Sequence, residues 1–172
     1  MTGQGSPTTE DTKSENLARL DMPNSARSLE FFINDLLSLG FVLSETYTRP
    51  QEFIARYQKI INNTKWDNIL TNEFYQVKIV YHKNKQNYYL SYITFEARLL
   101  YQPDGSYPPS TTLCHQAAIF QETEDEYKTK LEELSDFIRI TLSAVHEFRP
   151  AGNVKDLLTH LGRLAYKTNF RA

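Results

Sequence analysis

Glu73-Phe-Tyr-Gln-Val-Lys-Ile-Val-Tyr-His82 decides the fold. Tyr75, Val77, Ile79 and Tyr81 recur at every second position. Phe74, Gln76, Lys78, Val80 and His82 fill the alternate ones. A period of two sends successive side chains to opposite faces, so this run predicts a strand with one core face and one wetter face. Lys83-Asn-Lys-Gln-Asn87 reads as a polar turn. The alternation then resumes from Tyr88 to Tyr101, with Ile93, Phe95, Ala97, Leu99 and Tyr101 opposite Tyr92, Thr94, Glu96, Arg98 and Leu100. The loop 102–110 is rich in Pro and carries a Pro-Asp-Gly turn signal, and Thr111–Phe120 is a third strand. Phe41–Tyr47, β-branched and aromatic, adds a fourth.

Helical periodicity flanks this meander. Leu29, Phe32, Ile33, Leu36 and Leu37 form an apolar stripe between a Ser25 cap and a Gly40 terminator. Thr48-Arg-Pro-Gln51 has the form of a capping box, and Phe53, Tyr57, Ile60 and Ile61 predict a second helix ending at Asn62-Asn63. Downstream, Thr123–Glu126 opens a long helix over 123–147, whose stripe is Tyr127, Leu131, Leu134, Ile138 and Val145. Asn153 caps a last helix with Val154, Leu157, Leu158, Leu161 and Leu164, and Gly162 inside it suggests close approach of another backbone. The expected class is α+β: an antiparallel sheet of three to four strands with helices packed on one side, in the order α-β-α-β-β-β-α-α.

Composition narrows the function. With 172 residues, 40% of them hydrophobic, there is enough apolar mass for a core, which excludes wholesale disorder. Residues 1–24, rich in Ser, Thr, Gly and Pro, read as a flexible N-terminal tail, and 25–172 as a single α+β domain. A net charge of −2 argues against coating nucleic acid by bulk electrostatics. The single cysteine, Cys114, excludes an intrachain disulfide and a paired-cysteine metal site. The N-terminus has no basic-then-apolar signal and no apolar run spans a bilayer, so the expected location is cytoplasmic, with no membrane partner.

The motifs of catalysis are missing. Cys114 and His115 are adjacent on a predicted strand, so their side chains diverge and cannot form a thiolate–imidazolium pair. His82, His115, His146 and His160 lack metal-ligand spacing, and no Gly-rich phosphate loop or Gly-x-Ser-x-Gly elbow occurs. No catalytic residue, metal or cofactor is assigned, and the chain leans away from being an enzyme. Glu96, with Arg98, Lys78 and His82 on the same predicted sheet face, is either a pocket lining or a solvated ladder.

What remains is a binding surface. Tyr81, Lys83, Lys85, Tyr88, Tyr89 and Tyr92 interleave rings and cations around one hairpin, where exposed tyrosine supplies contact area at low entropic cost. Tyr88, at a strand end, is expected to be exposed. The reading is a non-enzymatic protein-interaction or assembly module, its partner another protein or a second copy. The alternative is a nucleic-acid-binding protein using this hairpin and the basic C-terminal stretch, where residues 148–172 carry five bases against one acid.

Overall fold

The computed structural model describes residues 25–84, 87–101, 109–120 and 124–167. The tail 1–24, Lys85 and most of the 102–110 loop lie outside these residues. Helix α1 (Ser25–Ser38) ends in a Schellman turn. Gly40 takes φ +97°, its N–H donates to the Leu37 carbonyl at 3.1 Å, and the Phe41 N–H reaches the Leu36 carbonyl at 3.0 Å. Phe41 and Leu36 are both buried at that turn. Of the predicted stripe, Leu29, Phe32, Ile33 and Leu36 are core, whereas Leu37 is exposed.

Five antiparallel strands follow in chain order: β1 (Val42–Thr48), β2 (Glu52–Trp66), β3 (Ile69–Asn84), β4 (Asn87–Tyr101) and β5 (Ser110–Ile119). The predicted helix over 48–61 is therefore wrong, and the sheet has five strands where three to four were expected. Among the described residues the order is α-β-β-β-β-β-α-α. Thr48-Arg-Pro-Gln51 is a hairpin turn, in which Arg49 and Glu52 exchange backbone hydrogen bonds at 2.7 and 3.3 Å. Pro50 supplies the fixed φ that the second position of such a turn favours. The strand does not end at Asn62-Asn63. Asn63, at φ 62°, marks a break in register, after which pairing resumes to Trp66↔Ile69. Asp67 and Asn68 make the next turn with φ 52° and 63°, the pair of left-handed residues that a type I′ hairpin demands.

Helices α2 (Glu124–Phe148) and α3 (Val154–Lys167) close the chain. Asn153 caps α3 as expected, its Oδ1 accepting the Asp156 N–H at 3.0 Å. Gly152 sits where only glycine fits. Its φ is +61°, and a Cβ there would meet the Lys65 carbonyl at 2.8 Å. The Asp67 N–H in turn donates to the Gly152 carbonyl at 2.6 Å, and Asp67 Oδ1 accepts the Val154 N–H at 3.2 Å. The β2–β3 turn is thus locked onto the α2–α3 turn. Gly162 behaves differently from expectation: nothing lies within 4 Å of an added Cβ.

The helices share one face of the sheet. Phe53, Ala55, Tyr57, Tyr75, Val77, Ile79, Tyr81, Ile93, Phe95, Ala97 and Leu99 point toward them and form one cluster with Leu134, Phe137, Ile138, Val145, Leu157 and Leu161. Phe95 and Phe137 meet edge-to-face with centroids 6.2 Å apart. Each such fully buried side chain contributes about 1.5–3 kcal/mol. Among the described residues, no element packs over the opposite face. Its strand residues are mostly half-buried.

Candidate functional site

The face opposite the described helices is ordered by register. Tyr47, Ile54, Val80, Tyr92 and Ile119 pair in turn across β1 to β5, making an apolar and aromatic row that crosses every strand. Ile54 and Val80 are buried yet stand apart from the helix-side core, as residues on the far side of the sheet must. Ile119 closes the row at the β5 edge with 54% of its surface exposed. The next row is Glu45, Arg56, Lys78, Thr94 and Ala117. The row beyond joins Gln58, Gln76, Glu96 and His115, with a Gln58–Gln76 side-chain hydrogen bond of 2.8 Å.

The cations of this face are already engaged. Arg56 pairs with Glu45, donates to the Tyr47 hydroxyl at 3.0 Å and lies 5.1 Å from that ring's centroid. Lys78 stands 5.5 Å over Tyr92, and Arg98 stands 5.4 Å over Phe74. Arg98 and Glu96 approach to 3.8 Å. Glu96, Arg98 and Lys78 do share a face, and His82 lies on it at the hairpin end, as the alternation predicts. Lys78, Glu96 and Arg98 are half-buried along this face, and His82 is exposed.

The hairpin residues singled out from the sequence do not converge. Tyr81 is buried on the helix side. Tyr88 is half-buried there, edge-to-face with Phe53 at 6.2 Å, with Lys83 5.9 Å from its centroid. The exposure expected at Tyr88 is found at Tyr89, which is 39% exposed and paired with His82. Tyr92 belongs to the face opposite the helices. A register shift between Val80 and Tyr81 sets Tyr92 apart from Tyr81, Tyr88 and Tyr89, and alternation beyond it sends Tyr88 and Tyr89 to opposite faces.

A polar centre that the sequence reading passed over lies under the helices. Glu73 is wholly buried in β3. Its Oε1 accepts from Tyr75 Oη and Arg149 Nη2, each at 2.8 Å. Its Oε2 accepts from Arg149 Nε at 2.7 Å and Trp66 Nε1 at 3.1 Å. Burial pushes the carboxyl pKa up, but the hydrogen bonds from Arg149, Tyr75 and Trp66, with the guanidinium charge, outweigh it and hold the pKa below its ordinary value. Arg149 is raised by the same bond, and burial beside this carboxylate raises the Tyr75 hydroxyl. Glu73 shares its parity with Tyr75, Val77 and Ile79. An acid on the core face was therefore visible in the sequence, whereas its partner 76 residues away was not.

Above this pair, Arg149 Nη1 meets His146 Nδ1 at 3.0 Å, and Lys59 Nζ donates to the Leu39 carbonyl at 2.6 Å. Both border a cavity of about 270 Å³. A second cavity, of about 480 Å³, separates α1 from α2 beside exposed Phe31. A third, of about 240 Å³, lies between β5, α2 and α3 next to Gly162 and Cys114. Burial pushes the Cys114 thiol up to about 12, so it is not a nucleophile at neutral pH. Among the described residues no group of His, Cys, Asp or Glu side chains is arranged to hold a metal ion, and no helix is long and apolar enough to cross a membrane. Comparison with protein-family models, with curated proteins and with solved structures finds no match for this chain.

Proposed function

We propose that this chain is a non-enzymatic protein-interaction module, a subunit or adaptor of a larger assembly, and that it engages its partner through the sheet face opposite the helices. The observation that carries this reading is the row Tyr47–Ile54–Val80–Tyr92–Ile119, which crosses all five strands on the face opposite the helices of the described residues. Ile119 at the sheet edge and Tyr89 near the hairpin offer exposed apolar area beside a charged ladder, while Ile54 and Val80 in the middle of the row are already buried. Single-stranded nucleic acid fits this face less well. Stacking needs free ring faces, and cations already lie over Tyr47 and Tyr92.

Affinity purification with the wild-type chain and with a Tyr89→Ala, Ile119→Ser double variant tests the proposal. Wild type should retain a protein partner at high salt, and the variant should lose it while melting at the same temperature. A nuclease-sensitive interaction that collapses with ionic strength overturns the reading in favour of nucleic acid. Equal retention by the variant removes this face from consideration.

A further inference from the structure

We propose that the cavity between the end of α1, β2 and the C-terminal half of α2 binds a compact oxyanion of the phosphate class. This inference is independent of the sheet-face reading. The cavity is lined by Lys59, Arg139, Arg149, His146 and Ser143 among apolar neighbours, and no carboxylate lines it. The α1–α2 cavity, by contrast, presents Asp35 and Glu132 beside one lysine, and the cavity at Gly162 is largely apolar. Two of its cations are paired from outside the cavity, Arg149 by Glu73 and Arg139 by Asp136 and Asp35, which leaves Lys59 as the uncompensated charge on its wall among the described residues.

The donors are held in position by contacts that leave capacity to spare. Arg139, Ser143, His146 and Arg149 follow one another at spacings of four, three and three, which brings them to one side of α2. Arg149 turns Nε and Nη2 down to Glu73, and its Nη1 bonds His146. Glu73 is the counter-charge of Arg149, and each of its oxygens already accepts two donors. Arg139 is steadied by Asp136 at 2.8 Å and Asp35 at 3.5 Å. Lys59 spends one of three N–H groups on the Leu39 carbonyl, which also offsets the negative end of α1, and no carboxylate among the described residues pairs with it. Guanidinium, ammonium and hydroxyl donors approaching from α2, the turn after it and β2 suit a tetrahedral ion that accepts from several directions. Because the side chains are already anchored, binding costs little ordering entropy.

Calorimetric titration of the full chain with inorganic phosphate, with ionic strength held constant by sodium chloride, tests the site. Saturable binding at one site is expected. Lys59→Gln should weaken it about tenfold, the loss of one charge-assisted hydrogen bond, and His146→Gln should weaken it several-fold. Both variants spare the Glu73–Arg149 pair, and a thermal melt verifies that each is folded. Should Lys59→Gln fail to fold, His146→Gln alone decides. O-phospho-L-serine distinguishes the source. Tighter binding than phosphate identifies a phosphoryl group carried on a larger molecule, and weaker binding identifies the free ion. Absence of saturable heat with either probe, or undiminished affinity in the folded variants, overturns the proposal.

Discussion

Acid–arginine pairs stand on both faces of the sheet and meet opposite fates. Glu73 and Arg149 meet under the helices with both carboxylate oxygens doubly bonded. Glu96 and Arg98 lie two residues apart on the other face, 3.8 Å from each other and partly in water. The chemistry is the same, so the difference in their worth comes from solvent. Water screens and competes for the partly exposed pair, leaving about 0–1 kcal/mol. In the buried pair, removing one partner abandons the other in a medium that cannot solvate it. The inner pair therefore helps specify how α2 sits on the sheet, whereas the outer pair does little to specify the fold.

The largest expected effect comes from breaking the inner pair. Glu73→Ala leaves Trp66 Nε1, Tyr75 Oη and the Arg149 guanidinium without their common acceptor, and should cost about 3–5 kcal/mol in urea denaturation. Glu73→Gln, which keeps the shape, should cost less. The pH dependence follows from the sign of the shift. Folding lowers the Glu73 pKa, so the unfolded chain takes up the proton first. The pair's contribution is complete above the unfolded value of roughly 4.3 and is lost as pH falls through the lower folded value. Glu73→Gln should remove that part of the acid sensitivity. A Glu73→Ala variant within about 1 kcal/mol of wild type would mean that the two faces do not differ as argued.

How far this contrast was legible depends on range. The alternation of β3 and β4 assigned Lys78, Glu96 and Arg98 to one face and Tyr75, Val77 and Ile79 to the other, because a period of two is a local property. Phe53 to Ile61 failed for the same reason. Phe53, Tyr57, Ile60 and Ile61 satisfy helical spacing, while Phe53, Ala55 and Tyr57 equally satisfy a strand. What decides is pairing with β1 on one side and β3 on the other, which no nine-residue window contains. The Asp67-Asn68 turn was a hairpin signal left unread. The hairpin tyrosines were grouped by proximity in sequence, but alternation and the register shift near Tyr81 divide them between faces, and half the candidate site dispersed with that division. The basic cavity joins Lys59 to Arg149 across 90 positions, beyond the reach of any motif.

Cys114 and His115 sharpen the comparison at a single point of β5. Cys114 faces the helices, where Thr141 hydrogen-bonds it, and His115 is exposed on the other side. With its pKa near 12, the thiol should react with a maleimide or disulfide reagent at pH 8 at least about a hundredfold more slowly than in the urea-unfolded chain. Cys114→Ala should cost about 1 kcal/mol. Labelling as fast as in the unfolded chain would show that the β5 edge opens, and that the helix-side face is not closed there.

The smallest effect belongs to Glu96, the acid that looked most suggestive in the sequence. It is mid-strand, level with Gln76 and His115 across the sheet. Its nearest cation, Arg98, also lies along the ring of Phe74. That second contact survives the loss of the carboxylate, and water replaces whatever Glu96 supplied. Glu96→Gln should therefore change unfolding free energy by no more than about 0.5 kcal/mol, with unaltered cooperativity. A cost approaching that of Glu73→Ala would require Glu96 to be desolvated, and so would require something to cover the outer face in the isolated chain. The same substitution measured with a bound partner should cost more than it does alone. Burial beneath that partner would move Glu96 and Arg98 from the screened regime into the one that Glu73 and Arg149 already occupy.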